Sequence, residues 1–147
     1  MHDKVKKITD AAYMIEKAYS VKSRALSVKP NILTLLYALA HDEKLSQSKL
    51  HGEWMIPLST INTITTECRD SGYITLEPIP GKRRECYLHF TTKGKQFADK
   101  ILTAIQLAEE EALQETLQRY SPEFVEAMEF YAKKFHQKLN LGEKNEP

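Results

Sequence analysis

The stretch Leu45-Ser-Gln-Ser-Lys-Leu-His-Gly52, followed after a short turn by Pro57-Leu-Ser-Thr-Ile-Asn-Thr-Ile-Thr-Thr-Glu-Cys-Arg-Asp70, is the most informative part of the chain. It reads as two short helices in tandem. Ser71-Gly72 comes next, then Tyr73-Ile-Thr-Leu-Glu77, a loop Pro78-Ile-Pro-Gly-Lys-Arg-Arg84, and Glu85-Cys-Tyr-Leu-His-Phe90. The β-branched and aromatic residues on either side of that loop predict a two-stranded hairpin with a basic tip. A helix with a small polar outer face can enter a DNA major groove, and a basic hairpin beside it can hold the neighbouring phosphates.

Within the second helix, Ile61, Ile64, Thr65 and Cys68 share one face at 100° per residue. Ser59, Thr63, Thr66 and Asp70 fall opposite, with Asn62 and Arg69 at an edge. Ser46 suits the cap of the first helix, which carries Leu50 inward, and Gly72 closes the second. Pro78 and Pro80 bracket the hairpin loop and are expected to keep it from pairing as sheet.

Working outward, Val5, Ile8, Ala12, Ile15 and Tyr19 predict an amphipathic helix over about 4–20. Ser27-Val-Lys-Pro30 opens another, with Ile32, Leu35, Leu36 and Leu39 as its apolar face, and it stops at His41-Asp-Glu-Lys44. After the hairpin, Thr91 or Thr92 caps a long helix striped by Phe97, Ile101, Ile105, Ala108, Ala112 and Leu117. Ser121-Pro-Glu123 restarts the chain as a last helix, with Phe124, Met128, Tyr131, Phe135 and Leu139 in register. The compact middle unit cannot cover all of these terminal stripes. Packing them against a second copy of the chain is the economical solution, and packing within one monomer is the alternative.

Composition sets the outer bounds. The chain has 147 residues, 41% of them hydrophobic and 28% charged, which is ordinary for one globular domain. The net charge of +1 does not announce a nucleic-acid binder, but acids outnumber bases after Ile101 while Lys82, Arg83 and Arg84 crowd the hairpin tip. Cys68 and Cys86 make no disulfide framework. The start lacks the apolar core of a signal peptide, and the run Ile32 to Ala40 is too short to span a bilayer, so the expectation is a cytoplasmic protein without membrane contact.

No catalytic constellation stands out. The five histidines are scattered, with no His-Glu-x-x-His, Gly-rich phosphate loop or nucleophile elbow, so the chain reads as a non-enzyme with no cofactor and no metal. His41-Asp-Glu43 with His51-Gly-Glu53 is the one grouping that could meet across the fold as a metal site. A small metal-dependent or thiol enzyme would have to be built on that grouping or on the cysteines.

The middle unit resembles the winged helix-turn-helix of the multiple antibiotic resistance regulator (MarR) family of transcription factors. Ile56-Pro-Leu-Ser-Thr-Ile-Asn62 resembles the start of that family's recognition helix, Asp70-Ser-Gly-Tyr-Ile74 its junction into the wing, and Phe90-Thr-Thr-Lys-Gly94 the Leu-Thr-x-Lys-Gly that closes the wing. Two departures stand out. Lys82 occupies the place of the aspartate that precedes the family's wing arginine, here Arg84, and Pro57 stands where a Ser/Thr cap is usual and can serve instead as a first-turn residue.

The resemblance implies a mainly α fold with a small β-hairpin wing (α+β). Its organisation would be one domain over 1–147: a helical dimerisation region from 1–28 and 95–140, a winged helix-turn-helix region over 29–94, and a flexible tail at 141–147. It implies a homodimeric DNA-binding regulator, acting as a repressor on a pseudo-palindromic operator. The alternative is a winged-helix protein-interaction module that binds no DNA.

Base-edge candidates are Ser59, Thr60, Asn62, Thr63 and Thr66, because short hydroxyls approach bases closely and Asn pairs bidentately with adenine. Lys82, Arg83 and Arg84 suit phosphates or a minor groove, and Arg69 the backbone, Glu67 or Asp70. Ser46 and Gln47 lie at a helix start that suits a phosphate, with plain capping as the equal alternative. The resemblance also implies a cleft for a small aromatic or apolar effector, for which Tyr13, Tyr19, Tyr37, Trp54 and Met55 are the candidate lining. Some family members sense oxidants through a cysteine in the first helix, where this chain has none.

Overall fold

The computed structural model describes residues 1–143, with side chains as far as 140. Six helices and one antiparallel hairpin follow in the order α1 (His2–Ala25), α2 (Pro30–His41), α3 (Gln47–Gly52), α4 (Leu58–Asp70), β1 (Ile74–Pro78), β2 (Cys86–Phe90), α5 (Thr92–Arg119) and α6 (Glu123–Glu143). The chain divides into two compact units, Met1–Ala104 and Ile105–Pro147, with α5 running through the boundary. The fold is mainly α with a small hairpin, as the sequence predicts. Part of the tail expected at 141–147 is helix, since α6 continues to Glu143, and 144–147 lie outside the described residues.

The core of the first unit sits beneath the tandem helices. Leu35, Leu36 and Ala38 of α2, Leu45, Leu50 of α3 and Ile61 of α4 are fully buried, with Ile74 and Leu88 from the hairpin and Ala98, Ile101 and Leu102 from α5 almost so. Burial of this kind stabilises by about 25 cal/mol for each Å² of apolar surface withdrawn from water. α4 contacts α2, α3 and β1, so the second helix of the pair is held on three sides and open on the fourth.

Local chemistry explains the element ends. Ser46 accepts the Lys49 N–H at 3.2 Å and starts α3. Thr91, not Thr92, starts α5: its hydroxyl accepts the Gly94 N–H at 2.9 Å and donates to the Gly72 carbonyl at 2.6 Å. Gly72 closes α4 in the left-handed region, at φ +74°, with its N–H on the Arg69 carbonyl at 2.9 Å.

Two proline expectations need correction. Pro57 is not a first-turn residue but the N-cap of α4: it offers no side-chain cap, and its carbonyl accepts the Ile61 N–H at 2.9 Å. Pro78 is not in the loop but is the last residue of β1, paired with Cys86. A two-stranded sheet has an edge on each side, and a proline whose missing N–H would face outward is tolerated there. One pairing was not foreseen. The Leu88 N–H donates to the Leu45 carbonyl at 2.9 Å and Ser46 bridges to Tyr87, so the segment before α3 acts as a one-residue third strand.

The stripes of the terminal helices stay open. On α1, Val5, Ile8, Ile15 and Tyr19 are exposed, and on α6 so are Phe124, Met128, Tyr131, Phe135 and Leu139. The α5 stripe splits: Ile101 and Ile105 are buried, while Ala108, Ala112 and Leu117 are exposed. No helix among the described residues is long and apolar enough to cross a membrane.

Candidate nucleic-acid interface

α4 shows two chemically distinct faces. Ile61, Ile64, Thr65 and Cys68 are buried, while Ser59, Asn62, Thr63, Thr66, Arg69 and Asp70 are exposed and Thr60 is half-buried. This is the division that the 100° spacing predicts. The Thr65 hydroxyl is buried without a hydrogen-bond partner, a cost the helix bears on its inner side.

The exposed polar groups are not all equally free. Thr63 donates its hydroxyl to the Ser59 carbonyl at 3.0 Å, which leaves it as an acceptor toward any outside donor. Arg69 lies 3.4 Å from Asp70, one of the partners offered for it by the sequence. Glu67 lies on α4 beside them and takes two hydrogen bonds from the Lys29 ammonium, both at 3.0 Å. A groove of about 330 Å³ runs between the start of α2 and this helix, lined by Lys29, Pro30, Asn31, Ser59, Thr60, Thr63, Ile64 and Glu67.

At the wing tip Gly81 and Arg84 both take positive φ, +77° and +67°. The Ile79 N–H donates to the Glu85 carbonyl at 3.0 Å and the Lys82 N–H to the Ile79 carbonyl at 3.1 Å, which closes the loop. Lys82 pairs with Glu85 at 3.1 Å, so the acid absent from the family position is supplied three residues later to a different base. Arg83 and Arg84 are exposed, and no ion pair of the described residues engages either.

Of the two roles open to Ser46, the geometry supplies the capping one, since its hydroxyl is engaged with Lys49 and the residue is buried. Gln47, next along, is half-buried at the start of α3. Asp42 ties α2 to α3. It accepts from Lys49 at 2.7 Å and from the Lys44 N–H at 2.9 Å, and these bonds hold its carboxyl below the usual range.

Among the effector candidates, Tyr37 and Trp54 meet edge to face at 5.9 Å, and Tyr37 also stacks on His41 at 4.4 Å. Met55 follows Trp54 in sequence and is exposed at φ +52°, while Tyr13 and Tyr19 lie on α1. Cys68 lines a neighbouring cleft of about 240 Å³ with Val28, Ile32, Tyr73 and Phe97, and this cleft shares Lys29 and Glu67 with the groove beside α4. Burial first and the Glu67 charge second push its thiol up to about 11. A redox sensor needs an exposed thiol of low pKa, and Cys68 has neither property. Among the described residues no group of three or more His, Cys, Asp and Glu could hold a metal ion, and this includes the His41 and His51 segments.

No protein-family model matches the chain, and no curated protein matches it. Solved structures do. NMB1585, a MarR family regulator from Neisseria meningitidis, superposes with a TM-score of 0.78 at 15% identity, covering 95% of this chain and 98% of that one. NadR in complex with 4-hydroxyphenylacetate gives 0.72 at 14% identity, over 86% and 88% of the two chains. A mutant MarR from E. coli complexed with operator DNA gives 0.61 at 15% identity, over 92% and 97%. The chain therefore has the winged helix fold of MarR family regulators.

Proposed function

We propose that the chain is a homodimeric DNA-binding transcriptional regulator of the MarR type, a cytoplasmic repressor that reads a pseudo-palindromic operator. The observation that carries this reading is the division of α4: four buried residues anchor it, and its small polar residues Ser59, Asn62, Thr63 and Thr66 all face solvent. A face of short side chains lets the helix approach base edges, while Arg83 and Arg84 keep their charges uncommitted for phosphates or a minor groove. Gln47 at the start of α3 and Arg69 at the end of α4 supply flanking backbone contacts. The likeness to a structure that holds operator DNA supports the same reading.

Dimerisation is proposed from the exposed apolar residues of α1 and α6, a surface that a soluble monomer rarely leaves open. A two-fold axis would place the two recognition helices in successive major grooves, about 34 Å apart. A small aromatic or apolar effector, proposed at the Tyr37–Trp54 cluster with Met55, Tyr13 and Tyr19, would act by favouring one spacing of those helices over another. The likeness to NadR with its bound 4-hydroxyphenylacetate supports a ligand of that size.

The direct test is an anisotropy titration with random-sequence duplex at low salt. Binding in the micromolar range that weakens steeply as salt is added is the expected outcome, because released counterions dominate such affinity. No binding at low salt would overturn the reading and favour a protein-interaction module.

A further inference from the structure

We infer that Lys29 is part of the DNA-reading groove, where it masks the carboxylate that Glu67 carries along the recognition helix. This inference rests on the reading of α4 as that helix.

Ser59, Thr60 and Thr63 line one groove, and Glu67, one turn beyond Thr63, lines the same groove. A bare carboxylate at that place would repel the phosphates that a duplex brings to the helix. The chain answers with Lys29, the residue just before α2, whose ammonium lies 3.0 Å from both Glu67 oxygens. The other acid of α4, Asp70, is matched by Arg69. Each acid of α4 thus has a cation beside it, and the recognition helix presents itself without net negative charge.

Stability is a poor explanation for the Lys29–Glu67 pair. The two side chains are 69% and 41% exposed, and pairs this open to water add little to folding. Their contribution lies in the charge of the groove. Lys29 is a positioning residue in the same act, since the pair ties the start of α2 to the last turns of α4.

The test measures affinity and its salt dependence for one duplex in Lys29→Ala, Glu67→Gln and the double variant, each checked by thermal melting for an intact fold. Lys29→Ala leaves the carboxylate bare, and binding should weaken roughly tenfold at low salt with a shallower salt slope. Glu67→Gln frees the ammonium for a phosphate, so binding should tighten and the log–log slope steepen by up to about 0.9. The double variant restores neutrality and should fall within about threefold of the parent.

A clamp that served only to hold the helices together would behave otherwise. Both single variants would weaken binding alike, and the double variant would do no better than Lys29→Ala. That result would overturn the inference. Failure of the parent protein to bind any duplex would instead overturn the reading of α4 itself.

Discussion

Residue by residue, the proposed base-reading positions and phosphate-holding positions should respond differently to substitution. Asn62 is exposed on α4 and can pair with adenine, so Asn62→Ala should relax preference at one base position at a cost of about 1–3 kcal/mol. Arg84 sits at the wing tip, and Arg84→Ala should weaken binding to all sequences alike and lower the salt slope by roughly 0.9. Competition titrations at several salt concentrations distinguish the two. Uniform weakening from Asn62→Ala, or an unchanged slope from Arg84→Ala, would contradict the assignment.

The cysteines give a second residue-scale prediction. Cys68 is 1% exposed and its thiol is pushed up to about 11, whereas Cys86 is half-exposed on β2. A thiol reagent at pH 8 should therefore label only Cys86 in the native protein. The folded state holds the Cys68 proton more tightly than the unfolded chain. That contribution to stability is complete below the unfolded value near 9.0 and is lost as the pH rises through about 11. Denaturant titrations over this range should show a steeper loss in the parent protein than in Cys68→Ala. Equal slopes would mean that the thiol is not shielded.

At the scale of the element, the junction between α4, the wing and α5 depends on one close approach. A Cβ built on Gly94 would lie 1.8 Å from the Tyr73 carbonyl oxygen and 2.6 Å from its carbon, and both are backbone atoms that cannot turn aside. Gly94→Ala should cost at least about 3 kcal/mol in a urea titration, because the first turn of α5 must move off the Tyr73 backbone just before β1. A loss under about 0.5 kcal/mol would show that this junction is looser than the packing implies.

Much of this junction was legible in the sequence. Periodicity placed the inner and outer faces of α4, and hydroxyl residues before helical stretches marked the starts of α3 and α5. What escaped was whatever depends on neighbours distant in the chain. Pro78 can end a strand because β1 pairs on one side only. Leu45 pairs with Leu88, and Lys29 reaches Glu67 across 38 positions. No local pattern encodes such meetings. Pro57 shows the opposite limit, since a proline just before a helix and one just inside it satisfy the same local rules.

For the whole molecule, the proposed dimer would cover the exposed apolar residues of α1 and α6. Sedimentation equilibrium should give twice the chain mass. Ile15→Asp and Phe135→Arg should each shift the protein toward monomer. Both side chains are exposed in the single chain, so in a monomeric protein the same changes would move stability by no more than about 0.5 kcal/mol. Loss of dimer should carry with it a large loss of affinity for a two-site operator, because the second half-site no longer benefits from the first.

Selection of bound duplexes from a random pool probes the proposed paired reading by α4 without assuming any operator. Two copies of α4, each reading with its small polar face, should enrich an inverted repeat whose half-sites are centred about 10–10.5 base pairs apart. Recovery of a single unrepeated motif, or no enrichment over the starting pool, would contradict the account.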